Sequence, residues 1–150
     1  MMKSKEVTCP VTRHSGFTLV EAMITATILA MLAMIAYPSF MQSVRKSNRT
    51  DAQTALTRAS NNLERFFGAN GSYTTNATQL GLTITAGAAY SDNGHYIITV
   101  TAGPTGIGSS YVVTANAAAG DIQAKDTGCT TLTLDSLGRR TPDPAASRCW

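Results

Sequence analysis

The apolar residues of this chain change texture twice along its length. From Phe17 to Phe40 they form a nearly unbroken run, FTLVEAMITATILAMLAMIAYPSF, with Glu21 as its one charged residue. From Met41 to Phe67 they recur in steps of three and four (Met41, Val44, Ala52, Ala55, Leu56, Ala59, Leu63, Phe66, Phe67), with one wide gap from Arg45 to Asp51. Beyond Gly71 they shorten to alternating runs separated by Gly, Pro, Asn and Thr.

The first two textures predict one long helix from about Phe17 to Phe67. At about 1.5 Å per residue the apolar run covers about 36 Å, enough to cross a ~30 Å hydrocarbon core with some tilt. The second half is amphipathic, with Arg45, Arg49, Gln53, Arg58, Asn61 and Glu64 opposite the apolar stripe. Pro38 removes a helix hydrogen bond and crowds the Met34 carbonyl, so a kink is expected there, with Thr25, Thr27 and Ser39 offering hydroxyls to loosened carbonyls. Gly68 and Asn70-Gly71 supply the stop.

The third texture predicts strands over 95–101, 110–116 and 130–135, with a fourth over 121–125 or 139–141 and a loop at 103–109. Residues 73–94 read as a linker, poor in apolar side chains apart from Leu80, Leu82 and Ile84. The apolar stripe of Ala52 to Phe67 matches the cover that a small sheet needs, which gives an α+β domain. Trp150 is expected to pack on the sheet or on a neighbouring copy.

Glu21 is expensive where it stands, because a carboxylate inside a membrane segment costs at least ~2.5 kcal/mol and usually has a partner or a task. A basic leader (Lys3, Lys5, Arg13) precedes Ser15-Gly16, and no A-x-A-like cleavage site follows the apolar run, as a discarded secretory signal requires. Gly16-Phe17-Thr18-Leu19-Val20-Glu21 resembles the prepilin signature of type IV pilins and their relatives, closely from Gly16 to about Asp51 and in layout beyond.

The resemblance implies cleavage after Gly16 by a prepilin peptidase, N-methylation of Phe17, an assembly glutamate at Glu21 and a helix-kinking proline at Pro38. It implies three segments: a leader (1–16), a membrane and filament-core helix (17–40), and an amphipathic half-helix with a globular β domain (41–150). The implied fold is α+β and pilin-like, a long N-terminal helix on a small antiparallel sheet with a C-terminal disulfide loop. Tyr37-Pro38-Ser39-Phe40, Glu64-Arg65-Phe66-Phe67, Gly71-Ser72-Tyr73 and the Cys-x5-Asp run ending in Cys-Trp are most similar to PilE-type minor pilins, although a major pilin is similar too. Implied partners are other pilin subunits, the prepilin peptidase and the inner-membrane assembly machinery. The implied location is the inner membrane, with a periplasmic C-terminal domain, and then an extracellular pilus serving twitching motility, adhesion or surface sensing.

Composition changes this picture little. The formal charge of +3 falls to about +1 without the leader, too small to mark a nucleic-acid binder by bulk charge. Cys9 leaves with the leader, so Cys129 and Cys149 remain as an even pair for an oxidising compartment. The charge rule does not orient the helix, since Arg45, Lys46 and Arg49 balance the leader; the cysteines and the resemblance place the C-terminal domain outside.

An enzyme finds no support: His14 lies in the leader, and His95 falls on a predicted strand face with no partner set. No cofactor motif is present, and Asp121, Asp126, Asp135 and Asp143 lack calcium-loop spacing. Glu21 therefore carries the demanding role: its carboxylate can neutralise the amine created on Phe17, within a chain or between subunits. Ala22, Ala26, Ala30 and Ala33 permit close helix approach in a bundle.

The leading expectation is thus a structural pilus subunit. A type II secretion pseudopilin shares the signature, but the cysteine pair and the missing calcium pattern argue against it. A DNA-receptor pilin of natural transformation needs a basic patch, for which Lys125, Arg139, Arg140 and Arg148 are candidates. A solvated charged loop end is the plainer reading of those four, and nucleic acid is not an expected partner from sequence.

Overall fold

The computed structural model describes residues 16–142 and 148–150. The leader residues Lys3, Lys5, Cys9, Arg13 and His14, and Asp143 of the tail, lie outside the described residues. The chain divides into two compact units, one reaching Ser39 and the other Phe40–Trp150, each described by itself.

Helix α1, Leu19–Asn70, is 52 residues long. It starts two residues later than expected because Thr18 caps it: the Glu21 amide donates to Thr18 Oγ1 at 3.2 Å, satisfying a donor that has no partner in the first turn. Pro38 lies inside the helix, which does not end there. Gly68 does not stop it either. The stop is Gly71 at φ +71°, whose amide donates to the Phe67 carbonyl at 2.8 Å. That left-handed position costs a glycine little and other residues more.

The globular unit holds a six-stranded antiparallel sheet in the order β1-β2-β3-β4-β5-β6. Its strands are β1 Thr83–Thr85, β2 Ala88–Tyr90, β3 Tyr96–Ala102, β4 Tyr111–Ala117, β5 Thr131–Asp135 and β6 Arg140–Thr141. The three predicted strands are β3, β4 and β5, each shifted by no more than a residue at its start. The fourth is β6; its alternative, 121–125, is instead a short 3-10 helix, Ile122–Lys125. The Asp121 side chain turns the chain there by accepting from the Gln123 amide at 2.8 Å, which competes with extended pairing.

The linker expected over 73–94 is corrected to structure. It contains a 3-10 helix, Ala77–Leu80, and the β1–β2 hairpin. Ala86 and Gly87 make its two-residue turn at φ +50° and +82°, the mirror-image geometry that matches strand twist. His95 is also corrected: it precedes β3, and its Nδ1 lies 3.0 Å from Asp121 Oδ2.

Alternation puts Tyr96, Ile98 and Val100 of β3, Tyr111, Val113 and Ala115 of β4, and Leu132 and Leu134 of β5 into one buried cluster. Ala52, Ala55, Leu56, Ala59 and Leu63 of α1 complete that cluster from the other side. The helical and strand periods thus meet in a single core. The small alanines let the helix backbone approach closely, and the leucines fill the space between them.

Cys129 and Cys149 form a disulfide with a Cα–Cα separation of 5.4 Å across 20 positions. Both cysteines are buried. A Cys129→Ser/Cys149→Ser chain is expected to lose about 3 kcal/mol of stability on a chain-entropy account. Chemical denaturation of the two chains side by side checks this as a lowered midpoint.

Candidate functional site

Two regions carry functional potential, one in each unit. Through the first unit and on to Phe40, the first residue of the second, every large apolar side chain from Phe17 is at least 52 % exposed, and Ile35 reaches 79 %. No residue of that stretch is buried. The helix is long and apolar enough to cross a membrane. Thr25 and Thr27 donate their hydroxyls to the Ala22 and Met23 carbonyls at 3.0 and 2.8 Å, so neither exposes an unpaired donor on the apolar surface. Those carbonyls lie well before Met34, so the expectation that the two threonines serve the Pro38 region is corrected. Glu21 stands in the first turn of α1, where the helix dipole favours an anion.

In the second unit the disulfide end is clamped to the helix. Arg49 donates a fork to Asp126, Nε to Oδ2 at 2.7 Å and Nη2 to Oδ1 at 2.8 Å, and its Nη1 donates to the Arg148 carbonyl at 2.7 Å. The hydrogen bonds to Asp126 hold the guanidinium pKa above its ordinary value, although burial opposes this. Gln53 donates to the Cys149 carbonyl at 3.0 Å. Buried Gln123 donates to the Arg45 carbonyl at 3.2 Å and to the Tyr96 hydroxyl at 2.8 Å. Two residues of the expected solvent face of α1, Arg49 and Gln53, are therefore structural ties rather than a wetted stripe.

Farther along α1, Glu64 accepts from the Tyr73 and Tyr111 hydroxyls at 3.1 and 3.0 Å. Burial pushes the Tyr111 pKa up to about 12, so it stays a hydrogen-bond donor. Tyr73 stacks on Phe67 with ring centroids 4.6 Å apart and meets Tyr111 edge-on at 4.7 Å. This aromatic group fixes the chain as it leaves the helix.

The four predicted basic residues have different surroundings. Arg139 is paired with Asp135 at 2.6 Å across a turn that Asp135 also holds through the Leu137 and Arg139 amides. Burial raises the Asp135 pKa, but those hydrogen bonds outweigh it and hold the carboxyl below its ordinary value. Lys125 ends the second 3-10 helix and is exposed, as is Arg148. Arg140 has its guanidinium carbon 5.0 Å from the centroid of the Trp150 ring. Trp150 itself is half-buried against the core of its own chain.

Arg140 and Trp150 line a groove of about 600 Å³ with Gln53, Thr54, Thr57, Arg58, Asn61, Asn62 and Arg65 of α1. Sequence reading missed this grouping, because Arg140 and Trp150 are far from residues 53–65 along the chain and meet them only in the folded unit. Within it, Arg58 forks onto Asp92 at 2.6 and 2.7 Å, and Asn62 donates to the Leu80 carbonyl at 2.9 Å. Arg65 and Arg140 have no carboxylate partner among the described residues.

The acidic side chains behave differently. Among the described residues of this unit, Asp92, Asp121, Asp126 and Asp135 face cationic or imidazole partners. Glu64 accepts from the two tyrosines, and buried Asp51 accepts from the Asn93 amide at 3.3 Å. Asp51 and Asp126 are buried, whereas Glu64 and Asp92 are exposed beside the groups that hold them.

Comparison with known proteins follows the same division. Residues 38–133 match the family model described as type IV minor pilin ComP, DNA uptake sequence receptor. Residues 11–37 match the prokaryotic N-terminal methylation motif. The chain is similar to the type IV major pilin protein PilA of Myxococcus xanthus (strain DK1622), at 33% identity over 78 residues, 52% of this chain and 36% of the relative. The match thus spans about a third of that relative's length. The long apolar-to-amphipathic helix, the antiparallel sheet and the disulfide-tied tail carry the same assignment: the chain belongs to the type IV pilins, in the minor pilin ComP family.

Proposed function

We propose that this pilin is a structural subunit of a type IV pilus, processed after Gly16, methylated on Phe17 and built into the fibre through residues 17–40. The observation that carries the reading is the wholly exposed apolar surface of that stretch. Such a surface is unstable in water and is satisfied only by lipid or by like helices. In this reading the inner membrane holds the helix before assembly, with the globular unit on the periplasmic side, and copies or relatives of the chain replace lipid afterwards. The prepilin peptidase and the inner-membrane machinery act in that passage, and Glu21 and Pro38 shape the packing of the rod.

Mass spectrometry of sheared filaments tests this. The expected N-terminal peptide starts at a methylated Phe17, and the expected chain carries the Cys129–Cys149 bridge. A chain that retains its first sixteen residues and is absent from fibres overturns the proposal.

A second reading concerns what the globular unit binds. The match over residues 38–133 is to a family described as a DNA uptake sequence receptor. From Phe40 to Trp150 lysine and arginine outnumber aspartate and glutamate by nine to seven, an excess that favours a polyanion. In this reading the subunit also engages DNA as part of the fibre. The pseudopilin alternative gains no such support.

A further inference from the structure

We propose that the groove between α1 and the tail, through Arg65, Asn61 and Arg140, grips the phosphodiester backbone of duplex DNA. This rests on the DNA reading above and adds the place and the groups.

Charge geography confines the choice. No lysine or arginine occurs between Phe66 and Ala124. The β1–β2 hairpin, the β3–β4 turn and the loop after the helix therefore have no cation to offer a phosphate. Every positive side chain of the globular unit lies on α1 or at and after Lys125. Arg49, Arg58 and Arg139 are committed to Asp126, Asp92 and Asp135. Of the remainder, Arg65 and Arg140 line one concavity.

The lining fits an acceptor-rich ligand. The Thr54 and Thr57 hydroxyl hydrogens are donated to the Thr50 and Gln53 carbonyls, both at 2.8 Å. The uncommitted donors of the groove thus include the two guanidiniums, the exposed Asn61 amide and the Trp150 Nε1–H, which is buried and has no partner among the described residues. The Trp150 ring beneath Arg140 restrains that guanidinium, so its planar fork loses less freedom when it meets a phosphate. A groove of about 600 Å³ accepts a sugar-phosphate segment and excludes a double helix. The duplex therefore lies across the groove with its backbone inserted, a mode that positions DNA without reading base edges.

The experiment measures binding of a fluorescein-labelled 24-base-pair duplex to the full-length chain in detergent micelles, by anisotropy, over a salt series. The Arg65→Ala/Arg140→Ala chain is expected to bind about tenfold more weakly or worse, with the log-log salt slope reduced by about 2, one unit for each phosphate no longer neutralised. Arg65→Gln alone, at a residue with no hydrogen bond inside the described fold, is expected to lose about one unit of slope. It serves if removing Arg140 lowers the melting temperature. Lys125→Ala/Arg148→Ala removes equal charge outside the groove and is expected to change the slope less. A greater loss in that control than in Arg65→Ala/Arg140→Ala overturns the groove and leaves the DNA reading standing. Failure of the unaltered chain to bind the duplex at low salt overturns both.

Discussion

An Asp126→Ala chain is expected to be about 3–5 kcal/mol less stable than its parent, the range found when one partner of a buried ion pair is removed. Asp126 is 5 % exposed, and its carboxylate takes the whole fork of Arg49. Without it the guanidinium keeps one described partner, the Arg148 carbonyl, and stays largely shielded from water. The loss also loosens the tail, because the guanidinium that Asp126 holds is the one that donates to the Arg148 carbonyl at 2.7 Å. Asp126→Asn retains an acceptor and is expected to lose roughly half as much. Near-ultraviolet circular dichroism during heating checks both, with the melting temperature falling by roughly 10–20 °C for the alanine. An unchanged melting temperature means that the clamp adds nothing to the fold.

A Glu21→Ala chain is expected to enter membranes normally and to fall in filaments by tenfold or more, the scale set by removing a charge-assisted hydrogen bond of about 1.5–3 kcal/mol. On the proposed reading, cleavage after Gly16 leaves an amine on Phe17, and the Glu21 carboxylate neutralises it where little solvent screens either charge. The cap adds a competing account, because Thr18-Leu19-Val20-Glu21 has capping-box spacing. Glu21→Gln separates the two: glutamine retains the cap and removes the charge. Quantitative immunoblots of sheared fibres and of membranes are expected to show the glutamine chain depleted from fibres like the alanine chain. Normal incorporation of Glu21→Gln assigns the residue to helix initiation instead.

The long helix and three of six strands were legible because their burial is periodic. Phe17 to Phe40 announces itself by continuous apolarity, and β3, β4 and β5 by alternation of Ile, Val and Leu with Thr. The disulfide was readable from an even cysteine pair once the leader was set aside. The β1–β2 hairpin was not: β1 is exposed along its whole length, so no buried face imposes a pattern, and its Ala86-Gly87 turn lacks the usual Asn or Asp. Gly68 misled because a helix tolerates an interior glycine at about 1 kcal/mol. His95 misled because the carboxylate beside it, Asp121, comes from a distant turn. Of the candidate residues, Arg140 was nameable from sequence, but Arg65 became its neighbour only through tertiary packing.

The strand order also implies a sequence of events in time. Each strand pairs only with its chain neighbours, so the sheet can zip hairpin by hairpin as the polypeptide emerges. The ties that seat the sheet on the helix wait far longer: Arg49 for a carboxylate 77 positions on, and Gln53 for a carbonyl 96 positions on. Closing such spans costs more chain entropy than closing a hairpin. The Arg49 tie can close once Asp126 is made, and the Gln53 tie waits for the final cysteine. A nascent subunit truncated before Cys149 lacks the Gln53 tie and the disulfide together.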